Sequence, residues 1–294
     1  MLTGIVAGLL AGALWGLVFV APRMVQGYGS VDLAAGRFVV YGIVAAVACA
    51  AMRRPLPDAR QALAAVGLSL LGFTGYYLLL VLAIRDAGTE VPSLVIGTIP
   101  LWVMLLGKPG HLRWVALVPG IACTAAGLAL MMASPHAGEG GSGPHFWRGV
   151  LLACASLAAW TAFALLNAAW LKKHPQVDVT DWANWLGLAT GASALLLWAF
   201  AGSDLATLRA QPDAGLFLAL VLGTGVGSAW LATILWNVAS RRLSASLCGQ
   251  LIVSETLFAL AYSFAWDGRW PSMAQAGAVV LFTLGILASI KAHR

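Results

Sequence analysis

An all-α integral membrane fold is what this sequence predicts: ten transmembrane helices forming two inverted five-helix repeats around a central cavity. Three observations predict it. Of the 294 residues, 61% are hydrophobic and 10% charged, with a mean hydropathy of +0.87. A soluble domain carries roughly 45–50% apolar and about 25% charged residues, and a chain of this size has too little interior to hide the excess. The apolar residues gather into ten runs, each close to the roughly 20 residues that a spanning helix needs. A polar, glycine-rich stretch, Gly138-Glu139-Gly140-Gly141-Ser142-Gly143-Pro144, interrupts them near the midpoint with five runs on each side.

The runs are 3–21, 33–52, 61–84, 90–106, 112–133, 149–171, 182–201, 215–239, 244–266 and 273–291. In lipid only helices and closed barrels satisfy the backbone, and barrel strands would alternate apolar and polar residues, which these runs do not. The first run has no basic n-region or cleavage site and reads as a retained helix rather than a signal peptide. With the N-terminus inside, the cytoplasmic loops and tail hold eleven Lys and Arg, the outer loops five, and Arg37 stays within a helix. The positive-inside rule therefore places both termini in the cytoplasm, as an even number of spans requires.

The midpoint stretch divides the chain into a first repeat (1–133), a flexible outer linker (134–148) and a second repeat (149–294). Ala13-Leu14-Trp15-Gly16 overlays Ala158-Ala159-Trp160-Thr161, and one constant offset lays Arg85 on Arg241, Pro100 on Thr256 and Trp102 on Phe258. An odd number of helices per half turns the second half upside down. Inverted repeats are the usual build of secondary transporters, whose substrate site lies near mid-membrane between the halves.

Candidate site residues follow from polar or aromatic groups at depth. Glu255 is an acid deep inside an apolar run, where an ionisable group is costly and functional by default. Two readings stand: a proton, cation or amine site, or a packing acid kept neutral by its surroundings. Gln250 and Ser254 lie one turn apart, with Phe258 continuing their face, while the repeat puts Leu94, Thr98 and Trp102 on the matching face of the fourth run. Two such stripes would make a mixed-polarity pocket, against the plainer reading of interhelical hydrogen bonds. Arg37 is expected to snorkel outward to Asp32, with a carboxylate contact or an outer gate as the alternative. Trp147, Trp182, Trp266 and Trp270, near run ends, read as interface anchors. Trp15 and Trp160 lie deeper at repeat-equivalent positions and join the pocket candidates, as do Tyr76, Tyr77 and Asn167, whose polar groups need partners when buried. Gly4, Gly8, Gly12 and Gly16 form a small-residue ridge suited to close helix packing. Gly97, Pro100 and Gly225 are candidate hinges.

Within this frame the chain resembles the drug/metabolite transporter superfamily in its EamA-type ten-helix branch. Ala13-Leu14-Trp15-Gly16, Ala35-Gly36-Arg37-Phe38, Gly97-Thr98-Ile99-Pro100-Leu101 and Ser254-Glu255-Thr256-Leu257 carry the resemblance, with Thr256 where the family usually has proline. It is most similar to the aromatic amino acid exporters. The resemblance implies a monomeric carrier that alternates access around a central cavity, with the fifth and tenth helices peripheral, exporting aromatic or other neutral amino acids across a bacterial inner membrane. Export of cationic drugs or other metabolites is the alternative.

Other classes fit less well. An intramembrane enzyme needs a Ser/His pair, paired carboxylates or a metal cluster, and the runs hold no deep histidine and no second deep carboxylate. Gly107-Lys108-Pro109 is no Walker A loop, so ATP does not drive transport through this chain alone. The four cysteines sit in apolar runs without CxxC spacing, and the five histidines lie in loops or at the end, so no metal and no cofactor is expected. The net charge of +6 follows from membrane-flanking loops and shows no nucleic-acid pattern. The expected partners are a small-molecule substrate and the lipid bilayer. On this topology, a Ser142→Cys variant reacts with a membrane-impermeant thiol reagent in intact spheroplasts; reaction only after permeabilisation would reverse the orientation.

Overall fold

A computed structural model describes residues 1–25, 27–88, 90–132, 144–268 and 270–294. Among them, nine helices are long and apolar enough to cross a membrane: α1 (Leu2–Met24), α2 (Ser30–Ala51), α3 (Ala59–Ala87), α5 (Trp114–Met132), α6 (Phe146–Lys173), α7 (Val179–Ala201), α8 (Ala214–Arg242), α9 (Ala245–Asp267) and α10 (Met273–Ala292). The shorter apolar helix Val91–Leu106 is α4. The described part of the chain is all-helical.

Capping side chains mark where several helices begin. Asp58 and Gln61 form a capping box at α3, as do Ser272 and Gln275 at α10, and Asp178 and Ser244 cap α7 and α9. Each satisfies N–H groups that the first helical turn leaves unpaired. Four helices are irregular inside. α1 tightens into a 3-10 turn at Leu17–Phe19, and α3 bends at Phe73. α4 breaks at Thr98, between the candidate hinges Gly97 and Pro100, with Pro100 in the first turn of its second segment. α8 widens into a π-helix over Gly225–Leu231. A short helix, Leu205–Ala210, was not foreseen and follows α7. Of the expected linker, 134–143 lies outside the described residues, and α6 has already begun at Phe146.

Helices pair across the midpoint of the chain. α2 packs along α7, α5 along α10, α4 against α9, α3 against α6, and α1 against α8 and α9. Small residues set these contacts. A β-carbon at Gly8 would stand 2.7 Å from Leu251 Cδ1, at Gly12 2.1 Å from Ser254 Oγ, and at Gly16 2.9 Å from the Ala259 nitrogen. The α1 ridge is therefore the surface that receives α9. Gly42 and Gly191 touch where α2 crosses α7, and Gly120 and Gly127 admit Ser289 and Phe282 of α10. Without a hydrophobic force between helices in lipid, such close approach supplies the packing energy. Trp147, Trp266 and Trp270 are exposed as anchors would be, but Trp182 is fully buried and stacks on Trp170 at 3.5 Å. The correction has a physical reason: its indole N–H has a partner inside the bundle.

The ridge gives a stability prediction. Gly12→Leu forces α1 off α9 and lowers stability by about 1–3 kcal/mol or more, as overpacking does. Gly215→Ala, where nothing lies within 4 Å, leaves the thermal midpoint of the detergent-purified protein unchanged or slightly raised.

Candidate functional site

Three indoles from three helices converge inside the bundle. Trp15 of α1 lies 6.4 Å from Trp160 of α6 and 5.3 Å from Trp236 of α8, and Trp160 lies 6.3 Å from Trp236, centroid to centroid. The aromatic contact continues through Phe163, Phe73 and Phe38 to Tyr77, each ring meeting the next edge to face. Such pairs are each worth about 0.5–1.5 kcal/mol beyond the area they bury. The row therefore makes a firm wall running from α1 through α6 and α3 to α2. Sequence reasoning picked Trp15, Trp160 and Tyr77 but missed Trp236, Phe163 and Phe73. The repeat gave no signal for these, because aromatics that pack and aromatics that line a site look alike in one sequence.

At the end of this wall sit the two deep charges. The Arg37 guanidinium carbon lies 4.7 Å above the Phe38 ring, a cation–π distance. It shares one electrostatic neighbourhood with Tyr76, Tyr77 and Glu255. Glu255, from the middle of α9, interacts in turn with Arg37 and Tyr76. The expected outward pairing of Arg37 with Asp32 does not form: Asp32 accepts from the Ser203 N–H at 2.8 Å and the Ser203 hydroxyl at 2.7 Å, and it caps Gly29. With Asp32 committed, Arg37 turns inward. The ion pairs among the described residues join other groups, so Arg37 and Glu255 attract without touching. The Arg37 Nε–H is buried with no hydrogen-bond partner, and so is the Trp236 indole N–H. Arg37, Tyr76, Tyr77, Trp15, Trp160 and Glu255 each keep part of their surface open. Trp15, Tyr76, Tyr77 and Trp160 pack against the hydrophobic core of the bundle at the same time.

The other predicted residues are placed elsewhere. Asn167 is fully buried: its carbonyl oxygen accepts from Trp182 Nε1 at 2.7 Å, and its amide donates to Asn237 Oδ1 at 3.0 Å. Gln250, also fully buried, donates to Thr124 at 3.0 Å and accepts from Ser289 at 3.1 Å, which ties α9 to α5 and α10. The Ser254 hydroxyl donates to the Leu251 carbonyl and packs on Gly12. Trp102 is 46% exposed and shares an outward stripe with Leu94 and Leu106. The two expected stripes are thus not brought face to face. Gly249 lets α4 approach through Val103 and Met104 instead, and the Gln250 amide, which must be paired when buried, finds its partners on the far side. The Thr98 hydroxyl donates to the Val95 carbonyl at 2.6 Å and stabilises the α4 break, with Gly97 just before it and Pro100 just after. Gly225 opens the π segment of α8 against Val40 and the Arg37 carbonyl. Among the described residues, no group of three or more His, Cys, Asp or Glu is placed to hold a metal.

This placement makes Asn167 a positioning residue. Asn167→Leu leaves Trp182 Nε1 and Asn237 Oδ1 unpaired and costs about 1–3 kcal/mol for each buried group. The loss is read as a lower thermal midpoint in detergent, and folded protein that survives it retains substrate affinity.

Comparison with known proteins agrees with this architecture. Residues 2–133 match the EamA-like transporter family. The inner membrane protein YtfF of Escherichia coli (strain K12) is 29% identical over 308 residues, covering 99% of this chain and 96% of that protein. A solved crystal structure superposes with a TM-score of 0.79 at 22% identity, covering 99% of this chain and 97% of its own, a likeness of fold. Through its first five helices the chain is thus similar to the EamA-like transporter family, and along nearly its whole length it is similar to an inner membrane protein of Escherichia coli.

Proposed function

We propose that the chain is a secondary carrier that exports neutral amino acids, aromatic ones first, by alternating access across a bacterial inner membrane. In this reading it works as a monomer with both termini in the cytoplasm. The observation that carries the proposal is the separated pair of deep charges, Arg37 and Glu255, with Arg37 at one end of the row of aromatic rings that leads to the Trp15–Trp160–Trp236 cluster. Two opposite charges held apart in low dielectric are poorly compensated. A zwitterion between them compensates both. Its carboxylate accepts from the Arg37 guanidinium, whose Nε–H has no protein partner. Its ammonium donates to Glu255, and an aromatic side chain extends along the indoles.

The cross-midpoint pairing of helices supports a carrier of two halves. The second, fourth and fifth helices each pair with the helix of the same rank in the other half, and the α3–α6 contact mirrors the α1–α8 contact. Such an arrangement is what two inverted repeats around a mid-membrane site would produce. The breaks in α3, α4 and α8 supply the irregular backbone that carriers place around their substrates. Transport needs no ATP and no enzymatic step in this reading. Whether Glu255 also carries a driving proton is decided by the same experiment.

The test is flux into proteoliposomes of tryptophan, phenylalanine, leucine and tryptamine, with and without a pH gradient. Arg37→Gln removes a charge-assisted hydrogen bond of about 1.5–3 kcal/mol, hence weakens amino acid transport about tenfold or more. It spares tryptamine, which has no carboxylate. Glu255→Gln weakens both, and it flattens the pH dependence if a proton drives transport. Saturable flux of tryptamine but of no amino acid would replace this reading with an exporter of organic cations, the alternative that an acid beside aromatic rings also suits.

A further inference from the structure

The face that carries both chain termini holds a second, separate cavity of about 220 Å³. Met1 of α1, His111 from the α4–α5 loop, Arg242 and Ser244 at the α8–α9 junction and His293 after α10 line it. The stretches that meet here, 1–10, 104–116, 239–254 and 285–294, contain six Lys and Arg, two His and no Asp or Glu. Some of that charge is spent on backbone: Lys108 donates to the Pro109 and Leu112 carbonyls and lies over Trp114, and Arg241 donates to the Val177 carbonyl. Arg242 is exposed and belongs to none of the ion pairs among the described residues. The α9 helix starts at this cavity with Ser244 as its cap, so the positive end of its dipole adds to the same field.

His293 adds a titratable ring to the wall of this cavity. Its Nδ1 faces the Ser289 carbonyl at 2.7 Å. A carbonyl only accepts, so Nδ1 carries the hydrogen, and the neutral ring keeps its lone pair on Nε2. That Nε2 is buried with no partner. Burial lowers the His293 pKa, as does His111 opposite, against the raising effect of the Ser289 carbonyl. Arg242 from the α8–α9 junction also lines the cavity, and its guanidinium opposes protonation. An anion in the cavity reverses that balance. It accepts from Arg242, and its charge favours a proton on the His293 ring.

We propose that this cavity is a binding site for a phosphate group, either that of an anionic lipid headgroup at the membrane surface or that of a soluble phosphate. Binding takes up a proton at His293, so for a phosphate whose own charge stays fixed, such as that of a phosphodiester headgroup, it strengthens as the pH falls. The site is remote from the Arg37–Glu255 pair and does not depend on what that pair transports.

Two arms test it on the full purified chain. In the first, thermal unfolding in a neutral detergent is followed against inorganic phosphate, with chloride at equal ionic strength as the control, at about pH 6 and about pH 8. In the second, native mass spectrometry compares retention of phosphatidylglycerol with that of phosphatidylcholine. Saturable stabilisation by phosphate, or selective retention of phosphatidylglycerol, supports the site; the arm that responds identifies the soluble or the lipid source. Arg242→Gln weakens the response about tenfold, the loss of one charge-assisted contact. His293→Gln changes the pH dependence from that of the parent, over and above the proton that phosphate itself takes up in this range. His111→Gln, at an exposed position, serves as a further variant should His293→Gln not fold. No response in either arm, or a response that Arg242→Gln and the histidine variants leave unchanged, overturns the proposal.

Discussion

Close approach of helix backbones at small residues is the interaction on which this molecule depends. Lipid tails are as apolar as leucine, so burying apolar side chains between helices gains little. What remains is contact at short range, and glycine permits the shortest. Gly8, Gly12 and Gly16 seat α1 on α9, Gly42 meets Gly191 where α2 crosses α7, and Gly120 and Gly127 seat α5 on α10. These contacts fix which faces point at neighbours. Gly249 brings α4 in through Val103 and Met104 and leaves Trp102 turned outward. Gly225 sets α8 against α2 at the level of Arg37, where α8 becomes a π-helix.

Once the faces are set, buried polar groups divide into two kinds. Some are saturated by neighbours: Trp182, Asn167 and Asn237 form one chain, and Gln250, Thr124 and Ser289 another. In a low-dielectric interior such networks stiffen the bundle and leave nothing for a ligand. Others are not saturated, and Arg37 Nε and Trp236 Nε1 are of this kind. The two stand at opposite ends of one row of touching aromatic rings. A wall of rings with an unpaired donor at either end suits a solute with both polar and aromatic parts.

Paired charges lie at the helix ends instead. Arg23 bonds to Asp267 between the ends of α1 and α9, Arg148 to Asp86 between α6 and α3, and Arg54 lies 3.5 Å from Asp181 and 3.8 Å from Asp178 where α2 meets α7. Near the membrane surface water and headgroups lighten the desolvation cost that a mid-membrane pair would bear in full. The interior is thus left with the separated pair and with hydrogen bonds between neutral groups.

The sequence by itself determined the helical class and the spans, because hydropathy follows from composition along the chain and needs no neighbour. It also marked Arg37, Glu255, Trp15 and Trp160 by depth or by repetition, and the glycine ridge by its spacing. Only the tertiary structure decided which faces meet. One sequence does not tell a glutamine that ties three helices together, Gln250, from one that lines a cavity, nor an anchoring tryptophan from Trp182 stacked inside the bundle. The inward turn of Arg37 was hidden for the same reason: it depends on Ser203, distant in the chain, which claims Asp32 first. Partner choice among buried polar groups is settled by packing at close range, and packing is a property of the assembled helices.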